Sequence, residues 1–354
     1  MSQEISRRDF LKATAVTGTV FLAGDMFRSR AFGETSVKIP EAERIVVTVI
    51  TDNYYDAMRP DDKIAKRHSN TVWGALPTLD LVLHAEHGLA YHVETTVDGR
   101  SHSFLFDFAS DVQGMERNMR LLKIDLKKIE AMALSHDHFD HLAALLDLLK
   151  ANREEIPRGI PFYVGEQCFQ GTYARTPDGN VASLVALRRE ELEELGLVKI
   201  VEVKSPTPIV QGAYLAGKIE QVTAYEKVPS MFVAKKGDEF VQEEFPGEQA
   251  VVLNAKGKGL VVLSACAHRG IVNTVRHTQK ITGIEKVHAV MGGFHLMGAE
   301  RDVIRQTIAD IKALKPDYIV PMHCTGFEVV EAFAREMPDQ FVLNVAGTRH
   351  VMPA

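Results

Sequence analysis

The chain has little cysteine: its only three, Cys168, Cys266 and Cys324, are scattered over 354 residues. An odd and widely spaced set does not form a disulfide framework, and the chain is long enough to be stabilised by a large buried core instead. The sequence also lacks an apolar run of the roughly 20 residues that a membrane-spanning helix needs. We therefore expect no stable membrane anchor.

An excess of positive charge is missing as well. Lys and Arg number 41 against 47 Asp and Glu, so the formal net charge is −6 and no basic surface for nucleic acid is expected. Hydrophobic residues make up 45% and charged residues 25%, as in an ordinary soluble globular protein. Because no repeat, low-complexity segment or linker is found, residues 34–354 are predicted to form a single domain.

Residues 1–33 have the features of a cleaved export signal. Arg7 and Arg8 precede Phe-Leu-Lys, a weakly apolar stretch follows, and small residues stand near Ala31 and Gly33. The paired arginines resemble the twin-arginine signal of bacteria, which implies the twin-arginine translocase as a partner and a periplasmic location. The alternative, an amphipathic helix, is disfavoured because residues 13–24 have no polar face.

The strongest motif follows an apolar run at residues 129–134 and precedes a helical pattern. It reads Ser135-His136-Asp137-His138-Phe139-Asp140-His141. His136 and His138 are two residues apart, so in extended chain both imidazoles point to the same side. Asp140 and His141 follow at the start of the helix and can face a second point nearby. Imidazole and carboxylate ligands at this spacing predict a metal site.

Three later segments share one arrangement, in which an apolar strand is followed by a histidine and then by a helix. The histidines are His268, His295 and His323. Strand ends before helices are where α/β proteins collect functional groups, so these three are candidate ligands. The histidines at positions 68, 84, 87, 92 and 102 have no ligand spacing and are interpreted as surface or supporting residues.

The periodicity of the remaining chain predicts an α/β protein. Strands are predicted at residues 45–51, 80–83, 90–96, 103–108, 249–254 and 260–264. The last third alternates between helix and strand, with helices at 272–281, 301–314 and 327–335 and strands at 287–291 and 318–321. This alternation is typical of a mixed sheet that is covered by helices. Residues 56–71 are predicted to be a loop or lid, and residues 169–187 an insertion.

The motif at residues 136–141 resembles the His-x-His-x-Asp-His motif of the metallo-β-lactamase superfamily. The segments at 266–271, 293–296 and 323–326 resemble the branch of dihydropterin or ribofuranosylaminobenzene-phosphate synthase-like metal hydrolases. The resemblance covers nearly all of the chain from about residue 44 onwards. It implies a four-layer αββα sandwich with two divalent metal ions at one edge of its sheets.

The resemblance also implies the ligands of both ions. One would be held by His136, His138 and His268. The other would be held by Asp140, His141 and His323. Zn²⁺ is the first choice, with Mn²⁺ or Fe²⁺ as alternatives, because histidine-rich sites accept all three. Side chains expected to face the substrate or to support the ligands are His295, Asp107, Asn53, Glu86 and Cys266.

One departure from the superfamily pattern concerns the bridging ligand. Many members place an aspartate at the end of the strand that here ends near Cys266, but no Asp lies nearby in sequence. Cys266 either ligates as a thiolate or is a buried thiol. Occupancy of the second metal site is open for this reason.

These features predict a metal-dependent hydrolase in which a metal-bound hydroxide attacks an ester, lactone, amide or phosphoester, with Asp140 as the catalytic carboxylate. No Gly-x-Ser-x-Gly nucleophile motif is present, in agreement with metal-activated water. One alternative is a synthase-like transferase, which the export signal disfavours because its phosphoribosyl donor is cytoplasmic. Another is a non-catalytic metal-binding protein. A redox diiron role is disfavoured because carboxylate ligands are few.

Overall fold

The computed structural model describes residues 36–68, 82–184 and 186–354. Within it, Val37–Ala354 forms one compact unit. The predicted export signal lies outside the described residues, as do residues 69–71 of the predicted lid and residues 80–81 of a predicted strand.

The first half of the chain is mostly strand. Its strands are β1 (Glu41–Ala42), β2 (Arg44–Thr51), β3 (Ala65–Lys66), β4 (Ala90–Val97), β5 (Arg100–Phe106), β6 (Ala131–Ala133), β7 (Ile160–Gly165), β8 (Tyr173–Arg175) and β9 (Val181–Ser183). Its helices are α1 (Val112–Leu121), α2 (Phe139–Leu142), α3 (Leu145–Ala151) and α4 (Arg189–Leu195), with a 3₁₀ turn at Leu126–Lys128.

The second half ends in an alternation of helix and strand. Its strands are β10 (Val198–Val203), β11 (Thr207–Val210), β12 (Ala213–Leu215), β13 (Phe232–Lys236), β14 (Glu239–Gln242), β15 (Val251–Ala255), β16 (Gly259–Leu263), β17 (Val287–Gly293), β18 (Tyr318–Met322) and β19 (Arg349–Pro353). Its helices are α5 (Ile271–Thr282), α6 (Arg301–Leu314) and α7 (Phe327–Glu336), with a 3₁₀ turn at His323–Thr325.

The strands form two large sheets and one small one. The first large sheet has the order β10-β7-β6-β5-β4-β2-β19-β3. The second has the order β11-β12-β15-β16-β17-β18, and β1 pairs with β15. The small sheet, β14-β13-β8-β9, joins the predicted insertion to the hairpin at residues 232–242.

Side chains that alternate along the strands divide the core into three layers. Phe104 and Phe106 of β5 face inward and pack with residues of the second sheet such as Leu253, while Leu105 between them packs against the helices on the outer face. In the second sheet, Val252 faces α5 to α7 in the same way. Because a strand presents alternate residues to opposite faces, this pattern gives helix, sheet, sheet, helix.

Local sequence signals mark several helix ends. The Asp111 side chain accepts hydrogen bonds from the amides of Gln113 and Gly114 at 3.1 Å and so caps α1. Helices α4 and α5 both end at glycines in the left-handed conformation, Gly196 and Gly283.

Most of the predicted elements are confirmed, but two predictions were wrong or incomplete. Residues 82–83, the described part of the strand predicted at 80–83, are not strand; next to them the Asn118 side chain donates to the His84 carbonyl and accepts from the His84 amide, both at 2.8 Å. Strand β19 was not predicted, although it fills the place between β2 and β3. Among the helices of the described ranges, none has the length and apolarity to cross a bilayer.

Candidate metal centre

Four strand ends bring the predicted ligands together. The motif at residues 136–141 follows β6 in the first sheet, and His268, His295 and His323 follow β16, β17 and β18 in the second. Since β16, β17 and β18 are parallel neighbours, their carboxyl ends meet at one edge. The centre therefore lies where the edges of the two sheets adjoin.

His136, His138 and His268 form the first cluster. Nε2 of His136 and Nε2 of His268 are 3.2 Å apart, and the His138 and His268 rings have centroids 4.7 Å apart. One ligand atom from each of the three lies within 4.8 Å of the others. The structure thus joins a ligand from the second sheet to the two from the motif.

Asp140, His141 and His323 form the second cluster. Asp140 Oδ2 lies 3.2 Å from Nε2 of His323 and 3.6 Å from Nε2 of His141. The two clusters adjoin, because the rings of His136 and His141 have centroids 4.4 Å apart. These six side chains are the ones for which the sequence predicted ligation.

The geometry fits divalent cations. Two atoms bound to one tetrahedral zinc at 2.0–2.1 Å stand roughly 3.3–3.4 Å apart, close to the distances within both clusters. Nε2 of His138 is buried, and no described residue forms a hydrogen bond with it. An unpaired buried imidazole nitrogen costs free energy that a metal bond would recover.

The protonation of the first cluster also suits metal binding. Burial lowers the pKa of His138 to about 3. Burial and neighbouring imidazoles hold the pKa of His136 and of His268 well below the usual value. These imidazoles are neutral at pH 7, and a neutral imidazole is the form that ligates a metal.

The second cluster carries charge. Burial would raise the pKa of Asp140, but His141 and His323 hold it below its usual value, so it is a carboxylate. Burial would lower the pKa of His141, but Asp140 and Asp107 raise it to about 9. In the absence of a cation, His141 therefore carries a proton where a metal would bind.

Partner side chains contact the predicted ligands from the side away from the cluster. Asp107 Oδ2 lies 2.7 Å from His141 Nδ1, and Asp107 Oδ1 accepts from the Ser135 amide at 2.7 Å. Asn53 Oδ1 lies 3.2 Å from Nδ1 of His323. Such contacts fix the ring orientation and the tautomer that a ligand must have.

The His268 ligand has two supports that the sequence reasoning missed. Glu248 accepts hydrogen bonds from the amides of His268 and Arg269 at 2.6 and 2.8 Å. Burial raises the pKa of Glu248 to about 7. The Phe245 ring stacks on the His268 ring with centroids 4.1 Å apart. A glutamate and a phenylalanine carry no metal signal in sequence, so only the fold shows their role.

Comparisons with known proteins agree with this geometry. The sequence profile of the beta-lactamase superfamily domain matches residues 102–238. A 7,8-dihydropterin-6-methyl-4-(beta-D-ribofuranosyl)-aminobenzene-5'-phosphate synthase of Methanocaldococcus jannaschii is 34% identical over 266 residues, 74% of this chain and 89% of the relative. The chain belongs to the beta-lactamase superfamily.

Two further comparisons extend this result. An uncharacterized protein of the same organism is 24% identical over 252 residues, 70% of this chain and 86% of the relative. The crystal structure of Tm1679, a metal-dependent hydrolase of the superfamily, superposes with a TM-score of 0.66 at 23% identity, covering 88% of this chain and all of that one. The predicted αββα metallo-β-lactamase fold is therefore confirmed.

At the position where many superfamily members have a bridging aspartate, the structure places Cys266. Its Sγ lies 3.2 Å from Nε2 of His141, and it forms a potential ligand set with His136 and His141, one from each cluster. A second thiol, Cys324, is 3.3 Å from it. Gly293 makes room for this pair, because a Cβ at that position would lie 2.6 Å from Cys324 Sγ.

The other predicted supporting residues take different positions. His295 packs on His268 with centroids 4.1 Å apart and shares a potential ligand set with Cys266 and His268. Glu86 does not reach the clusters; it accepts from the Ser110 amide at 3.3 Å. The neighbouring His87, interpreted from sequence as a surface or supporting residue, lies 3.4 Å from Asp140 Oδ2.

The backbone around the superfamily site adopts an unusual conformation. Asp107, Ala267, His295 and His323 are non-glycine residues with φ between 47° and 62°. This left-handed region is costly for such residues and is retained where the surrounding structure enforces it. His323 is a predicted ligand and Asp107 contacts His141, so at these two positions the unusual backbone conformation helps to orient side chains of the centre; other residues with positive φ, such as Lys63 and Lys123, lie elsewhere.

A cleft of about 790 Å³ opens beside the first cluster. Its wall includes His268 and His295, and its apolar side is formed by Met231, Phe232 and Met297 among others. Phe232 reaches the site from β13 and lies 5.0 Å, centroid to centroid, from His138. The small sheet, which contains the predicted insertion, therefore forms part of the cleft beside the metal centre.

Proposed function

We propose that this protein is a metal-dependent hydrolase of uncharged carboxylic esters or lactones that carry an apolar group. The observation that carries the proposal is the convergence of His136, His138 and His268 with Asp140, His141 and His323 at spacings that fit two cations. The cleft beside them sets the kind of substrate. Tm1679, which has the same fold, is described as a metal-dependent hydrolase.

A pair of divalent cations in such a centre lowers the pKa of water from 15.7 to about 7 and polarises a carbonyl oxygen. The residues of the chain position the reactants. Asp140 is an unprotonated carboxylate in the second cluster, so it can accept a proton from attacking water and return it to the leaving oxygen. Asp107 and Asn53 keep the imidazoles of His141 and His323 in place throughout.

The charge of the cleft favours an uncharged substrate. Among the described residues that line it, Lys227 is the only lysine or arginine, whereas Glu226 and Glu300 carry carboxyl groups. Glu226 is engaged in capping α5, where it accepts from the amides of Val272 and Asn273. Phosphate groups are often bound by clusters of Arg and Lys, and the described lining has no such cluster. An acyl or aryl group would instead contact the methionine and phenylalanine side chains.

A second candidate is a synthase like the 34% identical relative. That reaction would require the cleft to hold a phosphoribosyl donor, which a wall with one lysine and two carboxylates disfavours. A third is a metal-binding protein without turnover. Neither of these two candidates would hydrolyse a simple ester, whereas the hydrolase would.

The test is metal analysis of the purified protein followed by a panel of p-nitrophenyl esters, lactones and phosphodiesters. The hydrolase proposal predicts turnover of acyl esters that disappears in His138→Ala and after chelation. The control is His102→Ala, a histidine paired with Glu130 outside the centre. Metal binding without turnover of any substrate in the panel would support a non-catalytic metal-binding protein. Product formation only from a phosphoribosyl donor would support the synthase.

We also propose that the protein is exported by the twin-arginine pathway, on the basis of Arg7 and Arg8 and the weakly apolar stretch after them. Export of a folded protein would allow the metal to be loaded in the cytoplasm. In fractionated bacterial cells the wild type should be periplasmic and shortened by about the length of a signal peptide. A double Arg7→Lys, Arg8→Lys variant should stay in the cytoplasm at full length. If the wild type and this variant were found in the same cell fraction, the proposal would be refuted.

A further inference from the structure

His87 lies next to the second cluster, although from sequence it was interpreted only as a surface or supporting residue. It stands in the loop before β4, and 51% of its side chain is exposed. Its Nε2 is 3.4 Å from Asp140 Oδ2, and its ring stacks on that of His323 with centroids 5.0 Å apart and an angle of 22°. Ligand atoms of His87, Asp140 and His323 all lie within 4.8 Å of one another.

We propose that His87 is a fourth protein ligand of the cation in the second cluster, beside Asp140, His141 and His323. This inference rests on the metal centre of the proposed function. It assigns a ligand from the segment directly before β4 in the first sheet, which contributes none of the six ligands predicted from the sequence. With His87, the second cluster would offer three imidazoles and one carboxylate.

Three distances from one oxygen carry the argument. Nε2 atoms of His323, His87 and His141 lie 3.2, 3.4 and 3.6 Å from Asp140 Oδ2. Ligand atoms of a tetrahedral zinc are roughly 3.3–3.4 Å apart, so His87 fits the spacing as well as the two predicted histidines do. A carboxylate oxygen surrounded by three imidazoles is the arrangement expected around a shared cation.

The loop is also fixed to the ligands by its backbone. The amide of Leu89 donates to the Asp140 carbonyl at 3.0 Å, and Ser110 Oγ donates to the His87 carbonyl at 2.7 Å. At Gly88 a side chain is excluded, because a Cβ would lie 2.8 Å from Ser110 Oγ. These contacts fix the position of His87 relative to Asp140, as metal ligation requires.

The competing explanation is a simple ion pair or hydrogen bond between His87 and Asp140. The two explanations differ in their effect on cation binding. A hydrogen-bond partner can be replaced by glutamine, whose amide also donates to a carboxylate. A ligand cannot be replaced in this way, because an amide oxygen is a much weaker ligand than an imidazole for zinc or cobalt.

The test is titration of the metal-free full-length protein with Co²⁺, followed by absorption and by ¹H NMR of the imidazole signals shifted by the metal. In His87→Ala and His87→Gln, affinity for the second equivalent should fall at least about tenfold while the first is retained. One set of shifted imidazole signals should disappear. The matched control is His84→Ala, from the same loop, whose ring faces Glu86 and Asp111 at 3.7 and 3.8 Å.

The outcome separates this inference from the proposed function. Wild-type affinity and an unchanged NMR spectrum in His87→Ala would overturn it, whether or not the protein hydrolyses esters. Restoration of affinity by His87→Gln would overturn it too, in favour of the hydrogen bond. Weakened binding in both variants, with a wild-type protein that hydrolyses nothing, would support the ligand and refute the hydrolase.

Discussion

Asp107 Oδ2 lies 2.7 Å from Nδ1 of His141, and both side chains are fully buried. When His141 is neutral, as a ligand must be, the carboxylate accepts the Nδ1 proton and the Nε2 lone pair is directed at the second cluster. The same carboxylate accepts from the amide and the hydroxyl of Ser135, at the start of the histidine motif. One aspartate therefore orients a ligand and fixes the loop that carries three others.

Asp107→Asn should weaken binding of the second cation by about 10–100-fold, because the neutral amide no longer stabilises the ligating tautomer of His141. Isothermal titration of the metal-free protein with Zn²⁺ measures this directly. Asp147→Asn, at an exposed carboxylate that pairs with Lys150, is the matched control and should bind as the wild type does. Equal affinities in the two variants would mean that Asp107 only stabilises the loop.

The sequence alone predicted helices and strands correctly where their apolar residues repeat at regular spacing. Helix α6 has the predicted bounds, and β16 and β17 differ from prediction by one or two residues, because their apolar spacing is regular. Strand β19 could not be anticipated in this way. Its residues Arg349–Pro353 include an arginine and a proline and become a strand only by pairing with β2, about 300 residues earlier.

The residues of the site were likewise predictable where their geometry is local in sequence, and unpredictable where it depends on tertiary structure. Motif spacing indicated His136, His138, Asp140 and His141, since their geometry follows from a strand that runs into a helix. The side chains that were missed, such as Phe232 in β13 and Glu248 in the loop before β15, reach the site only through the tertiary structure. Their residue types are common in structural roles, so a single sequence gives no reason to select them.

Cys266 should ligate a cation as a thiolate. In Co²⁺-substituted protein, a thiolate ligand gives a sulfur-to-metal charge-transfer absorption, which Cys266→Ser should abolish. Burial and the adjacent Cys324 side chain raise the pKa of Cys266, so in the metal-free protein Cys266 is a thiol. Binding of the metal should therefore release one proton more in the wild type than in Cys266→Ser, in addition to the proton that His141 loses, and the difference is detectable in weakly buffered solution.

Cys168→Ser is the control for this experiment, since Cys168 is a buried free thiol that packs in the outer core layer below the helices. It should keep the charge-transfer band. A band that survives in Cys266→Ser and is lost in Cys324→Ser would assign the thiolate ligand to Cys324. Cys266→Asp, which supplies the side chain many superfamily members use, should bind both cations without the band.

Stability should depend on pH through His350. Burial lowers its pKa to about 3, against 6.5 in a model peptide, and its Nε2 lies 3.0 Å from Asn344 Oδ1. Between pH 6.5 and about 3 the unfolded chain binds a proton that the folded chain does not, so stability falls as pH falls. The contribution of His350 is complete above pH 6.5.

His350→Gln keeps a neutral donor for Asn344 and removes the titration. On acidification from pH 7 to pH 5 the wild type should lose about 2 kcal/mol more than this variant in urea unfolding, with metal content held equal. Parallel pH profiles of the two proteins would show that His350 does not titrate differently on unfolding.

The cleft should discriminate between substrates by their apolar group. Met297 is 65% exposed on the cleft wall, and Met231 is 50% exposed. Each buried methylene contributes about 0.8 kcal/mol, so kcat/KM should rise up to about fourfold per carbon from acetyl to hexanoyl esters. Met297→Asp should flatten this series by raising KM for the long esters, while acetyl ester turnover changes little.

Met58→Asp, at a 60% exposed methionine that does not line the cleft, should leave the series unchanged. A chain-length series that is flat in the wild type would contradict the apolar substrate assignment and leave the metal centre unaffected.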